Sequence, residues 1–203
     1  MTNLLDSLEN LEVFDGNAEI ITYRGRRALH LSPASNLPES EESVLALVKS
    51  MEFRDGTIEL QVAGAPRPGA PKDARGFIGL LFRVRDRGAQ AENLYVRPTN
   101  GRADDQLRRN HSVQYSSTPD FPWHRLREEN PGVYESYVDL DPGAWTKIKV
   151  TVSGTKAQLF VHSAAQPCLI VNDLKLGEVQ GQIGVWAHAS TEAYFSDLSV
   201  RSV

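Results

Sequence analysis

Apolar and polar residues alternate along most of this chain, and that pattern confines it to β-structure. Successive side chains of a strand point to opposite faces, so a strand with one face in a core reads with a period of two. In Thr57-Ile58-Glu59-Leu60-Gln61-Val62 the apolar residues share one face. In Trp145-Thr146-Lys147-Ile148-Lys149-Val150-Thr151-Val152, residues Ile148, Val150 and Val152 point inward and the lysines outward. Ser153-Gly154-Thr155 then turns the chain into Lys156–Val161 as a hairpin. Further strands are expected at Glu19–Tyr23, Ala28–Ser32, Ser43–Val48, Gly76–Val84, Asn93–Arg97, Ser112–Tyr115, Tyr134–Val138, Cys168–Val171, Gln182–Ala187 and Ala193–Val200. Helical signals are weak; Glu39–Lys49 suits a short helix, yet Val44, Leu45, Leu47 and Val48 suit a strand equally well. Gly64–Pro71, with three prolines and two glycines, reads as a surface loop. Many strands with turn residues between them predict an all-β fold, a sandwich or a jelly roll.

No stretch resembles a domain linker, so one domain over residues 1–203 is expected, with a polar and aromatic segment inserted at about 100–131. The net charge of −4 argues against a nucleic-acid partner, which would require a basic surplus. No apolar run approaches the roughly 18 residues that span a bilayer, and Met1–Asn10 lacks the basic start and apolar core of an export signal. A cytoplasmic protein is therefore expected, or an exported one already trimmed. The single cysteine, Cys168, excludes an intrachain disulfide and sits in an apolar run as a small hydrophobe. Nothing in the pattern specifies an oligomeric state.

One segment departs from plain sheet. From Tyr95 to Tyr137 the chain concentrates arginines, carboxylates, amides and large aromatics. In Gly76–Arg85 both faces begin apolar; then Arg83 and Arg85 emerge on one face while Phe82 and Val84 stay on the other. Tyr95 and Arg97 share a face in the same way. A sheet face that changes from apolar to Arg and Tyr suits the floor of a groove, although Arg83 and Arg85 fit structural ion pairs with Asp86, Glu92 or Asp104 equally well.

Four runs resemble the concanavalin A-like lectin/glucanase superfamily, and within it the bacterial jelly-roll domains related to the 3-keto-disaccharide hydrolase group (domain of unknown function 1080). These are Phe53-Arg54-Asp55-Gly56-Thr57-Ile58-Glu59, Gly79-Leu80-Leu81-Phe82-Arg83, Trp145–Val150 with its glycine hairpin, and Ala193–Val200 with Asp197 where asparagine is commoner. Together they cover most of the chain from about Phe53 onward. The resemblance implies an all-β, two-sheet antiparallel jelly-roll β-sandwich of the concanavalin A-like kind and a sugar-related activity. The alternating acidic strand of the glucanases (E-x-D-x-E) is absent, and Asn100–Pro131 matches no site of that superfamily.

A sugar presents C–H faces that stack on aromatic rings and hydroxyls that need planar polar partners. Arg83, Tyr95, Arg97, Asn110, Gln114, Tyr115, Trp123, Arg127 and Tyr134 are the candidate ligand contacts, and the leading expectation is a carbohydrate-binding domain. The competing structural role for the aromatics is to pin the insertion to the sandwich. The rival function is a hydrolase or lyase acting on a (keto-)disaccharide or oligosaccharide, as the resemblance implies. It needs two carboxyl groups, for which Glu135 and Asp105 are the candidates. A third reading is a protein-interaction domain anchored by Trp123 and Phe121. Trp145 and Trp186, in regular strands, read as core or edge packing. No cofactor is expected: the five histidines are scattered and no zinc ligand spacing occurs. Asp139 and Asp141 could supply a structural calcium, but Asp139-Leu140-Asp141-Pro142-Gly143 is more simply a turn.

Overall fold

A computed structural model describes residues 3–34 and 43–203. Among them the chain forms β1 (Leu11–Phe14), β2 (Gly16–Tyr23), β3 (Arg26–Pro33), β4 (Ser43–Val48), β5 (Gly56–Pro66), β6 (Ile78–Arg85), β7 (Gln90–Val96), β8 (Val113–Thr118), β9 (Glu135–Ser136), β10 (Thr146–Ser153), β11 (Lys156–Val161), β12 (Leu169–Val171), β13 (Gln182–His188) and β14 (Thr191–Ser202). Two short helices, α1 (Gln106–Asn110) and α2 (Trp123–Glu129), flank β8. The strands make two antiparallel sheets of seven. The first runs β1-β4-β13-β6-β7-β8-β9 and the second β12-β11-β10-β5-β14-β3-β2.

The alternation explains how the two sheets pack. Ile148 lies opposite Leu60 and Val150 opposite Ile58, and all four are buried in the core between the sheets. On the other face Lys147 Nζ reaches Glu59 at 2.8 Å, so each face of this strand pair matches like with like. From the first sheet Ile78, Leu80, Phe82, Leu94, Val96, Val113, Val185 and Ala187 meet them. Burial of these large side chains supplies most of the driving force, at roughly 25 cal/mol per Å² of apolar surface.

Several elements differ from the sequence expectation. Strand β5 continues through Pro66, into the expected loop; β10 pairs with it only as far as Val62, and the last residues are paired on the β14 side alone. A proline tolerates that end because its missing N–H has no neighbour to serve. The expected strand Tyr134–Val138 shrinks to Glu135–Ser136, and β1 was not anticipated. Ser43–Val48 is a strand, whereas Glu39–Glu42, the start of the helix alternative, lie outside the described residues. Asp197 falls at a bulge in β14 with φ of 56°, a conformation that aspartate and asparagine tolerate best among non-glycine residues.

The outer face of the first sheet carries the residues of functional interest. One cross-strand row runs Leu45–Trp186–Gly79–Tyr95–Gln114–Glu135 over β4, β13, β6, β7, β8 and β9. The face thus grades from apolar to charged. At the apolar end Trp186 and Leu45 pack on Leu47, Leu81 and Val84, a cluster separate from the main core.

Candidate functional site

Gly79 sets the middle of that row. A Cβ there would lie 2.3 Å from the Leu94 carbonyl oxygen and 2.5 Å from Tyr95 Cα, so only glycine lets β7 approach this closely. With nothing between them, Tyr95 and Trp186 lean together across the glycine, ring centroids 5.1 Å apart and planes tilted by 51°. Phe77, in the segment entering β6, adds a third ring 6.4 Å from Tyr95 and lies 5.4 Å from His188. The result is a faceted aromatic floor.

The charged end of the row is a braced network. Arg97, 4% exposed, donates through Nη1 to the His111 carbonyl and Glu135 Oε1, and through Nη2 to the Tyr95 hydroxyl and Gln114 Oε1. Arg127, projecting from α2, grips both oxygens of Glu135, and His111 Nε2 lies 3.4 Å from the same carboxylate. Burial pushes the Glu135 carboxyl up, but Arg127, Arg97 and His111 outweigh it and hold it below the ordinary carboxylate range. Burial, followed by the Arg127 and Arg97 charges, lowers the His111 pKa against the pull of Glu135. Trp123 stands over this network, with the Arg127 guanidinium 4.6 Å and that of Arg97 5.7 Å from its ring centroid.

Above the floor lies a hollow of about 620 Å³, within the roughly 300–1,000 Å³ typical of small-molecule sites. Loops at 71–77, 97–100 and 118–123 form its walls together with Arg108 and Arg127. Buried polar atoms without a hydrogen-bond partner occur on its lining residues, among them Asn93 Oδ1 and Arg108 Nε. Such atoms are uncommon in folded proteins and cost about 1–3 kcal/mol each unless something satisfies them. A smaller hollow of about 270 Å³ lies over the second sheet, against Glu59, Lys147 and Asp197, and has no aromatic residue in its lining.

The structure brings together four of the sequence candidates: Tyr95, Arg97, Trp123 and Arg127 all line the larger hollow. The others lie elsewhere. Arg83 is fully buried at a bulge with φ of 53°. Its guanidinium donates to the carbonyls of Arg54, Gly154 and Gly177 and to Asp55, so it ties three loops together and lines neither hollow. Tyr115, also fully buried, donates to Glu92 at 2.6 Å and accepts from the Lys175 amide, inside the sandwich. Tyr134 donates to Asp173, and Gln114 lies beneath Arg97. Asn110 accepts from Gln106 on the exposed side of α1.

The two catalytic candidates are likewise committed. Glu135 is enclosed by cations, and Asp105 caps α1 by accepting from the Arg108 amide at 2.9 Å. Asp139 and Asp141 both pair with Arg102, at 2.8 and 3.3 Å. Among the described residues no cluster of three or more His, Cys, Asp or Glu side chains could hold a metal ion. Trp145, one residue ahead of β10, packs edge-on against Tyr23 of the second sheet.

Sequence reasoning missed Phe77, Asn93, Trp186, His188, Arg75 and Arg108 as lining residues. Trp186 and His188 did carry a signal: they alternate with the buried Val185 and Ala187 and must therefore face outward.

No protein-family model matches the chain, and no curated protein sequence matches it. Solved structures do match its fold. The carbohydrate-binding module CBM66 from Bacillus subtilis aligns with a TM-score of 0.65 at 15% identity, over 95% of this chain and 96% of that one. A Bacillus subtilis protein of unknown function with a galectin-like fold aligns at 0.58 and 15%, over 100% and 95%. The exoplasmic/lumenal domain of VIP36, in its Ca2+/Man3GlcNAc-bound form, aligns at 0.58 and 11%, over 99% and 89%. The chain has the concanavalin A-like, galectin-like jelly-roll fold. At these identities the likeness establishes architecture alone.

Proposed function

We propose that this chain is a one-domain carbohydrate-binding jelly roll that seats a saccharide in the hollow over the first sheet. The observation that carries the reading is an aromatic floor, the partly exposed Trp186 and Phe77 packed on the buried Tyr95, combined with the unpartnered Asn93 Oδ1 at the same surface. Sugar C–H faces would stack on the rings while a hydroxyl donates to that oxygen. Trp123, 40% exposed, forms one side of the hollow. The solved structures above include a carbohydrate-binding module and a Man3GlcNAc-bound exoplasmic/lumenal domain, which is consistent with the proposal. The narrower kinship with the 3-keto-disaccharide hydrolase group belongs to the same proposal, supported by the order of the four sequence runs.

Binding is favoured over cleavage by the placement of acids. Glycoside hydrolysis requires two carboxyl groups roughly 5–10 Å apart across the bond that breaks. Asp73 is the sole acidic residue lining the hollow among the described residues, and Glu135 is held ionised beneath it by its cations. A protein-docking role through Phe121 and Trp123 is weaker, because Phe121 is partly buried against the core and roofed by Arg125 at 4.6 Å. No helix among the described residues is long and apolar enough to cross a membrane.

A glycan array with wild-type protein and with Trp123→Ala and Trp186→Ala tests the proposal. Discrete glycan hits should appear with wild type and weaken roughly tenfold or more in either variant, the usual cost of removing one stacking platform. Hits that persist unchanged in both variants would place the ligand elsewhere.

A further inference from the structure

The charge of the hollow narrows the ligand class. Four guanidiniums line it, those of Arg75, Arg97, Arg108 and Arg127, against one lining carboxylate, Asp73. Glu135 lies beneath and neutralises only the Arg97–Arg127 side. On a chain of net charge −4, the hollow is therefore a local positive surface. Among the described residues neither Arg75 nor Arg108 forms an ion pair: Arg75 donates to the carbonyls of Lys72 and Ala74, and Arg108 to Asn100 Oδ1 at a long 3.5 Å. They occupy one corner, where the Arg75 carbonyl accepts from the Thr99 amide, next to the Asn100 that Arg108 contacts. Two buried polar atoms without partners sit there as well, Arg108 Nε and Thr99 Oγ1. Partial burial and the neighbouring Arg108 and Arg97 charges lower the Arg75 pKa against the pull of Asp73, so desolvation and repulsion outweigh that single carboxylate at this corner.

We propose that the saccharide bound here is acidic, and that its carboxylate or sulfate group sits at the Arg75–Arg108 corner while its ring lies on the Tyr95–Trp186 floor. A guanidinium presents paired donors that match the two oxygens of such a group, and a ligand oxygen would give Arg108 Nε–H the acceptor it lacks. The proposal rests on the carbohydrate-binding reading and specifies the class within it.

The test is an array carrying each glycan in neutral, carboxylated and sulfated forms, followed by calorimetric titration of the best acidic glycan and its neutral counterpart. The acidic form should bind at least about tenfold tighter at low salt, and the ratio should fall as sodium chloride is raised. The double variant Arg75→Gln/Arg108→Gln should collapse the ratio to about unity, whereas Arg87→Gln, an exposed arginine outside the hollow, should keep it. Tighter binding of the carboxylated form assigns a uronate-type ligand, and of the sulfated form a sulfate ester. Equal binding of neutral and acidic forms, or an acidic preference that survives the double variant, would overturn this inference and leave the carbohydrate reading intact. Binding to no glycan on the array would overturn both.

Discussion

Glu135 concentrates the chemistry of the site in one carboxylate. It answers Arg97, Arg127 and His111 together while only 6% exposed. Removing one partner of a buried ion pair costs about 3–5 kcal/mol, because the remaining charge is left uncompensated. Glu135→Gln should therefore lower the urea midpoint by an equivalent of about 3 kcal/mol. Its pH signature has a defined sign. The folded pKa lies below the ordinary 4.5, so the ionised form stabilises the fold above that value and the contribution is lost as pH falls through the lowered folded value. Chemical denaturation between pH 3 and 6, values chosen to bracket roughly that window, should show an acid-side loss that the variant lacks. An identical acid limb in the two proteins would rule out this role. Arg83 shows where residue-level pattern stops being informative. It continues the alternation of β6 in sequence, but the bulge turns its side chain out of register and into three backbone carbonyls. No local spacing announces a bulge.

At the level of elements, strands with one face in water were legible because the core imposes a period of two on them. Strands β5, β10, β11, β13 and β14 are of this kind. Helix α2 was not, since Leu126 is its only buried residue and it carries no apolar stripe to detect. Strand β1 is four residues long, too short to show a period. The site was legible in part for a related reason. Tyr95, Arg97, Trp123 and Arg127 lie in the segment whose composition stands out, whereas Trp186 reaches them through strand register, and Phe77 and Arg75 from the loop that leads into β6. Gly79 embodies that register. Gly79→Ala would press a methyl group into the β7 backbone and part the Tyr95 and Trp186 rings. Overpacking of this kind costs about 1–3 kcal/mol, and the variant should show both a lower urea midpoint and weaker glycan binding. Wild-type affinity in a folded Gly79→Ala protein would remove the paired rings from the binding account.

For the molecule as a whole, the two sheets divide the labour. The second sheet closes the core and carries its own aromatic set, Tyr23 stacked on Tyr194 at 3.7 Å with Trp145 at its edge. The first sheet presents the hollow, with Trp123 and Trp186 in its lining. The three tryptophans of the chain therefore report on the two faces independently. The most direct test is a nitrogen-15 NMR titration with the strongest glycan from the array, following the three indole N–H resonances. The account predicts that the Trp123 and Trp186 signals move with one shared dissociation constant while that of Trp145 stays in place. Movement of Trp145 alone, or none at the two hollow tryptophans at saturation, would contradict it.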